Sequence, residues 1–115
     1  MSRQPSRPIR ASDGVQPSDR PAAAKAGDDS LSGDGIEKGD MIVYRRRFDE
    51  SELTSGRLVV VETPGGVYAG HYYKTPAGVV RLVYSNPRYQ DRELAGPVEV
   101  MGLVVRRERD YGGEP

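Results

Sequence analysis

Few side chains in this sequence could catalyse a reaction or hold a metal. The chain has no cysteine, and His71 is its only histidine, so thiolate catalysis, disulfides and transition-metal binding are not expected. The acidic pairs Asp28-Asp29 and Asp49-Glu50 could bind a divalent cation weakly, but solvated loop charges are the favoured interpretation. The sequence contains no phosphate-binding or dinucleotide-binding glycine motif. We therefore predict neither a metal nor another cofactor.

Arginines and tyrosines offer a second kind of chemistry, which is contact with nucleic acid. The arginines cluster at residues 45–47 and again at Arg106, Arg107 and Arg109, where they could contact phosphates. Five tyrosines could stack on bases, although half-buried strand packing is the favoured interpretation: Tyr68, Tyr72, Tyr73, Tyr84 and Tyr89. The formal net charge is +0, so the whole chain exerts no general attraction on nucleic acid. A small nucleic-acid-binding β-barrel remains an alternative hypothesis.

Composition divides the chain into three parts. Residues 1–28 lack aromatic side chains and are rich in Pro, Ser, Asp and Ala, which predicts a flexible, disordered low-complexity tail. Residues 29–106 contain every aromatic residue of the chain except Tyr111, and most Val and Leu residues, so this is the predicted folded domain. Residues 107–115 form a second predicted flexible tail. No apolar run is long enough to span a membrane, no secretory signal is recognisable, and the lack of cysteine fits the cytoplasm.

Hydrophobic patterning in the central part indicates β-strands separated by Gly/Pro turns. The continuous apolar run Val59-Val60-Val61 predicts a strand buried on both faces, and Gly102 predicts a bulge or a close backbone approach. The predicted strands cover residues 41–45, 57–63, 67–74, 79–84 and 98–105. No segment has helical periodicity. The predicted fold class is all-β, a small barrel-like or sandwich domain of about five or more strands.

Three segments, in order, resemble the peptidase domain of LexA, UmuD and phage CI-type repressors. The first is Asp29-Ser30-Leu31 followed by Gly35-Ile36 and Gly39-Asp40, where the family has Asp-Ser-Met, Gly-Ile and Gly-Asp before an apolar strand. The second is the hairpin at residues 56–73. The third is an apolar strand, then Asn86-Pro87-Arg88-Tyr89, then a closing strand with a central glycine. The resemblance covers residues 29–106.

The resemblance implies a serine nucleophile activated by a neutral lysine, because a serine hydroxyl needs a nearby base. Ser30 occupies the position of the serine, and Gly70 occupies that of the lysine. Glycine cannot accept a proton, so Gly70 is not competent. His71 is a weak alternative base, but strand alternation should turn it away from Ser30. Lys74 has the parity of Gly70 but lies ~13 Å further along the strand.

The leading hypothesis is therefore an inactive LexA/UmuD-like domain that acts as a dimerisation or protein-interaction module. The resemblance implies a bacterial or phage regulatory system, such as transcription regulation or the SOS response. It also implies that the closing strand at residues 98–105 forms a homodimer surface. An active, self-cleaving serine peptidase using Ser30 is the alternative. The family cleaves small-residue pairs, and Ala26-Gly27 is such a pair, but it lies too close to Ser30 to reach that serine.

Overall fold

Eight antiparallel strands form a single sheet that curls into a half-barrel. A computed structural model of the chain describes residues 14–16 and 22–109. The strands are β1 (Val15–Gln16), β2 (Ala23–Ala26), β3 (Met41–Arg45), β4 (Leu58–Thr63), β5 (Gly66–Lys74), β6 (Val80–Val83), β7 (Arg92–Glu93) and β8 (Glu99–Glu108). Two three-residue 3-10 helices, Ser32–Asp34 and Glu50–Glu52, lie in the connections. The predicted all-β fold is confirmed.

The strands are ordered β1-β2-β3-β8-β4-β5-β6-β7 across the sheet. The last strand, β8, therefore lies in the middle, paired with β3 on one side and β4 on the other. The curl brings the β1 edge back towards β5. A Cβ added to Gly14, the residue before β1, would lie only 2.6 Å from the carbonyl oxygen of Val67 in β5. No helix in the described part of the chain is long and apolar enough to cross a membrane.

All five predicted strands are present, as β3, β4, β5, β6 and β8, whereas β1, β2 and β7 were not predicted. Strands β1 and β2 fall inside the range 1–28, so the prediction of a flexible tail is wrong at residues 15–16 and 23–26. The rest of that range up to residue 21, apart from Gly14, lies outside the described residues. Strand β8 runs two residues into the predicted C-terminal tail, and residues 110–115 lie outside the described part.

The core lies on both faces of β4. Val59, Val60 and Val61 are each 0% exposed, which confirms burial on both faces, and each such side chain stabilises the fold by about 1.5–3 kcal/mol. Two connections cover the two faces of the neighbouring strand β5. Leu31 and Ile36, from the segment at residues 27–40, lie with Ala69 around one cavity. Phe48 and Leu53, from the connection after β3, lie beside Tyr72 on the other face.

Gly102 is at the point where β8 crosses the centre of the sheet. A Cβ there would lie 2.5 Å from Cδ2 of Tyr44 and 2.6 Å from the carbonyl oxygen of Arg45. The β4–β8 register also shifts next to this residue, between Val60 and Val61. Both the close approach and the bulge predicted at Gly102 are thus present.

Candidate active site

Ser30 lies in the segment at residues 27–40, which connects β2 to β3, and hydrogen bonds hold the residues around Ser30 in place. The backbone N–H of Ser30 donates to Oδ1 of Asp28 at 2.9 Å, and the Ser30 carbonyl accepts from the backbone N–H of Asn86 at 2.9 Å. The Asn86 side chain donates to the carbonyl of Asp29 at 3.0 Å. Ser30 is only 4% exposed. The residue at the nucleophile position is therefore held rigidly and is largely shielded from water.

The cavity beside Ser30 is almost filled. Its volume is about 10 Å³, which is the space of roughly one water molecule. Gly14 and Val15 at the start of β1 form part of its wall, and Ala69 is the residue that β5 contributes. Asp28 is the one ionisable residue around it in the described part of the chain. The cavity has no room for a peptide unless β1 moves.

Gly70 does not belong to this cavity. A Cβ built on Gly70 would lie 3.0 Å from Cβ of Leu82 and 3.2 Å from Cε1 of Tyr84. A side chain at position 70 would therefore be directed towards β6 and the residue after it, whereas Ala69 lines the Ser30 cavity. Gly70, at the position of the family's lysine, has no side chain that could act as a base. A side chain built at this position would point away from the cavity that Ala69 lines.

No lysine of the chain replaces the base that is missing at Gly70. The sequence contains three lysines, Lys25, Lys38 and Lys74, and all three are exposed. Lys74 lies beside Tyr72 and Val80, in a groove separate from the Ser30 cavity. None of the three is among the residues around the Ser30 cavity, so none is placed to accept a proton from the serine.

His71 is on the side of β5 that faces the Ser30 segment, so the expectation that it faces away is wrong. Its Nε2 lies 2.8 Å from Oδ2 of Asp34, in the 3-10 helix that follows Ser30. Its Nδ1 lies 2.7 Å from the carbonyl oxygen of Gly56. Strand alternation holds, but Gly70 is the residue that points to the other face. The sequence alone did not show which of the two faces the segment at residues 27–40 covers.

The surroundings of His71 favour its protonated form. Burial of the ring opposes the charge, but the Gly56 carbonyl and the Asp34 carboxylate together raise the pKa of His71 above its usual value. Both neighbours are hydrogen-bond acceptors at neutral pH, so both ring nitrogens can donate only when the ring is an imidazolium. An imidazolium has no free lone pair with which to accept a proton from a serine hydroxyl.

A second network joins the same segment to the end of β8. Asp40 is 3% exposed and accepts two hydrogen bonds from Arg109, from Nε to Oδ1 and from Nη2 to Oδ2, each at 2.7 Å. The Arg109 guanidinium holds the pKa of the Asp40 carboxyl below its usual range, against the opposing effect of burial. Arg107 donates from Nε to the Gly35 carbonyl at 2.9 Å. Strand β8 and the residue after it thereby fasten the segment that carries Ser30.

Sequence reasoning did not identify the residues that position Ser30. The pattern at residues 86–89 contains Asn86 without showing its role, which is to hold the Ser30 segment with both its backbone and its side chain. Asp34, Ala69 and Arg109 were not assigned a role at the site. The one available signal was Asn86, because an Asn-Pro pair predicts a turn whose side chain bonds to backbone groups.

Most of the arginines and tyrosines that suggested nucleic-acid binding are paired with carboxylates or at least partly buried within the chain. Arg45, Arg106 and Arg109 form ion pairs with Glu52, Glu108 and Asp40, respectively. Tyr72 and Tyr84 are buried, and of the five tyrosines only Tyr73 is exposed. Among the described residues, no three His, Asp or Glu side chains converge in a way that could hold a metal ion.

The fold and the site together are typical of the LexA/UmuD class of serine peptidase domains. The fold is an all-β half-barrel, and the site has a buried serine in a segment that ends in Gly39-Asp40 before an apolar strand. A family model described as Peptidase S24-like matches residues 4–105. The chain therefore belongs to the Peptidase S24-like family, the LexA/UmuD type of serine peptidase fold. A search of curated proteins gave no match.

Proposed function

We propose that this chain is a non-catalytic member of the family and acts as a dimerisation or protein-interaction module. The observation that carries the proposal is the composition of the wall facing Ser30. Strand β5 contributes Ala69 to the cavity beside Ser30, and the position of the family's lysine is Gly70. Without a neutral base within reach, a serine hydroxyl remains a poor nucleophile.

Two further observations support loss of activity. The cavity of about 10 Å³ does not accommodate a separate substrate peptide while β1 is in place. His71 donates from both ring nitrogens when protonated, and the raised pKa favours that form. The biological setting follows from the family, and we propose a cytoplasmic regulatory system of a bacterium or phage, such as transcription regulation or the SOS response.

Self-cleavage is the competing function, and the structure indicates where it would occur. Ala26-Gly27 is not accessible as a substrate, because the Ala26 N–H donates to the Asp40 carbonyl at 2.8 Å and the Ala26 carbonyl accepts from Gly39 at 2.9 Å. Gly14 and Val15 line the cavity beside Ser30, as Ala26 and Gly27 do, but they come from the separate strand β1 and the residue before it. If Ser30 were active, cleavage beside Gly14 would be expected.

The test is the intact mass of the purified chain over several days between about pH 7 and pH 10, for wild type and Ser30→Ala in parallel. We expect both proteins to keep their full mass at every pH. High pH favours a lysine-type base by removing its proton, so it gives self-cleavage its best chance. Cleavage beside Gly14 that Ser30→Ala abolishes would overturn the proposal and establish a working peptidase.

A further inference from the structure

The half-barrel contains a second pocket, which shares only Val15 with the Ser30 cavity. It has a volume of about 440 Å³, within the ~300–1,000 Å³ typical of small-ligand sites. We name it the Arg46 pocket. Its apolar wall comes from five strands and the residue before β2: Val15, Ala22, Ala23, Ala24, Tyr44, Val67 and Met101. Ser30, His71 and Asp34 are not among the residues around it.

The local sequence explains why this part of the half-barrel is hollow. Three successive alanines, at residues 22–24, line it, so this stretch contributes no side chain larger than a methyl group to fill the space. On the facing side, Gly102 allows the ring of Tyr44 to lie against the backbone of β8, where any Cβ would collide with it. Met101 adds a flexible, polarisable wall that adapts to different apolar shapes.

Among the described residues, the charge at this pocket is unbalanced. Arg46 is the one charged residue around it in the described part of the chain. Its neighbour Arg45 is paired with Glu52 at 2.7 Å and also donates to the Arg47 carbonyl. No hydrogen bond or ion pair of the Arg46 side chain is found within residues 14–16 and 22–109. A guanidinium that has no carboxylate partner among residues 14–16 and 22–109, beside an apolar hollow, is suited to an anionic head group.

We propose that the Arg46 pocket binds a free aliphatic monocarboxylate, with the tail among the alanines, Tyr44 and Met101 and the carboxylate on Arg46. The apolar wall supplies the affinity through burial of the tail. The guanidinium supplies the selectivity for an anion, since it offers two parallel donors to one carboxylate. This inference is independent of whether Ser30 is active.

Decanoate is a suitable probe, and the methionines provide the readout. With methyl-labelled methionine, the Met101 methyl signal reports on the pocket. Met41 lies at the far end of β3, opposite Lys25 and Glu108, and serves as an internal control. We expect decanoate to shift the Met101 signal saturably and to leave the Met41 signal in place. A titration without a shift at Met101, or with equal shifts at both methyls, would overturn the proposal.

The head-group assignment is tested with Arg46→Gln and the matched control Arg47→Gln, which removes the same charge one residue away. We expect Arg46→Gln to weaken decanoate binding about tenfold and Arg47→Gln to change it less than twofold. Decanol and decyltrimethylammonium should bind wild type at least tenfold more weakly than decanoate. Equal binding of decanoate and decanol, or equal effects of the two variants, would refute a role for Arg46. Binding to anionic vesicles without a response to decanoate would instead identify a membrane surface and overturn the proposal.

Discussion

At the scale of single residues, the two neighbours Ala69 and Gly70 determine what Ser30 can do. They point to opposite faces of β5, and the segment at residues 27–40 covers the face of Ala69. A lysine placed at position 70 is therefore directed at Leu82 and Tyr84 rather than at the Ser30 cavity. A missing lysine and a strand face turned the other way act together against catalysis.

This geometry predicts that Gly70→Lys does not restore self-cleavage. The new Cβ would lie 3.0 Å from Cβ of Leu82, so we also expect a loss of stability of about 1–3 kcal/mol from overpacking. Intact mass at about pH 9 and urea unfolding measure the two effects, with Gly70→Lys in the Ser30→Ala background as the control. Cleavage of the Gly70→Lys variant that is lost in this double variant would show that a side chain at position 70 reaches the serine.

His71 makes the stability of the chain depend on pH near neutrality. Its pKa in the folded chain is raised, so its stabilising contribution is complete below the unfolded value, about 6.5, and disappears as the pH rises through the folded value. We expect the free energy of unfolding of wild type to exceed that of His71→Gln by about 0.5–1 kcal/mol at pH 5.5, and we expect this difference to be smaller at about pH 8.5.

Urea unfolding of both proteins across this pH range measures that difference. His71 is the only histidine, so the variant removes the only side chain that normally titrates there. Asp34→Asn removes the charged acceptor at Nε2 and should reduce the pH dependence while keeping the ring. A difference between wild type and His71→Gln that stays constant over the whole range would contradict a protonated His71.

At the scale of elements, the segment at residues 27–40 depends on the end of β8 for its position. Arg109 makes two hydrogen bonds to the buried Asp40, and its Nη2 also donates to the Gly35 carbonyl at 3.1 Å. We expect Arg109→Ala to destabilise the fold by about 2–3 kcal/mol, because it leaves a buried carboxylate without its main donor. Arg106→Ala is the matched control, since its pair with Glu108 is largely exposed and should cost less than about 1 kcal/mol.

Thermal and urea unfolding measure this difference, and its pH dependence has a defined sign. The pKa of Asp40 is lowered in the folded chain, so its contribution is present above the unfolded value of about 3.9 and is lost as the pH falls through the folded value. The difference between wild type and Arg109→Ala should therefore shrink in acid. Similar losses in Arg109→Ala and Arg106→Ala would show that the Asp40 pair is not important for stability.

Which elements could be predicted depended on their side chains. Strands β3, β4, β5, β6 and β8 contain the Val, Ile and Tyr residues typical of strands, and all five were recognised. Strand β2 has the sequence Ala-Ala-Lys-Ala, which lacks such residues, and its position is determined by pairing with β3 rather than by local preference. Strands β1 and β7 have two residues each, too few for a pattern.

At the scale of the whole molecule, the strand order was outside the reach of local patterns. The last strand, β8, lies between β3 and β4, and this long-range arrangement decides which face of β5 meets the segment at residues 27–40. The resemblance to the family assigned its serine position to Ser30 and its lysine position to Gly70. It could not show that Ala69 lines the cavity and that His71 contacts Asp34, because both depend on that arrangement.

The same arrangement limits how two copies could associate. The backbone of β8 is hydrogen-bonded on both sides, to β3 and to β4, so a dimer formed by this strand must use its exposed face rather than its edge. Val105 is 48% exposed on that strand, at the register shift that places it between the partners of Val43 and Tyr44. If β8 forms the proposed dimer surface, Val105 is the exposed apolar residue that the interface would bury.

We therefore expect sedimentation equilibrium to show a dimer for wild type. Val105→Lys should raise the dimer's dissociation constant at least tenfold, because burying the lysine ammonium at the interface would remove it from water. Val79→Lys is the matched control, since Val79 is 37% exposed but lies in the loop before β6, and it should leave the dimer intact. Equal dissociation of both variants would place the interface elsewhere. A wild-type chain that stays monomeric at high concentration would leave interaction with a different protein as the role of this domain.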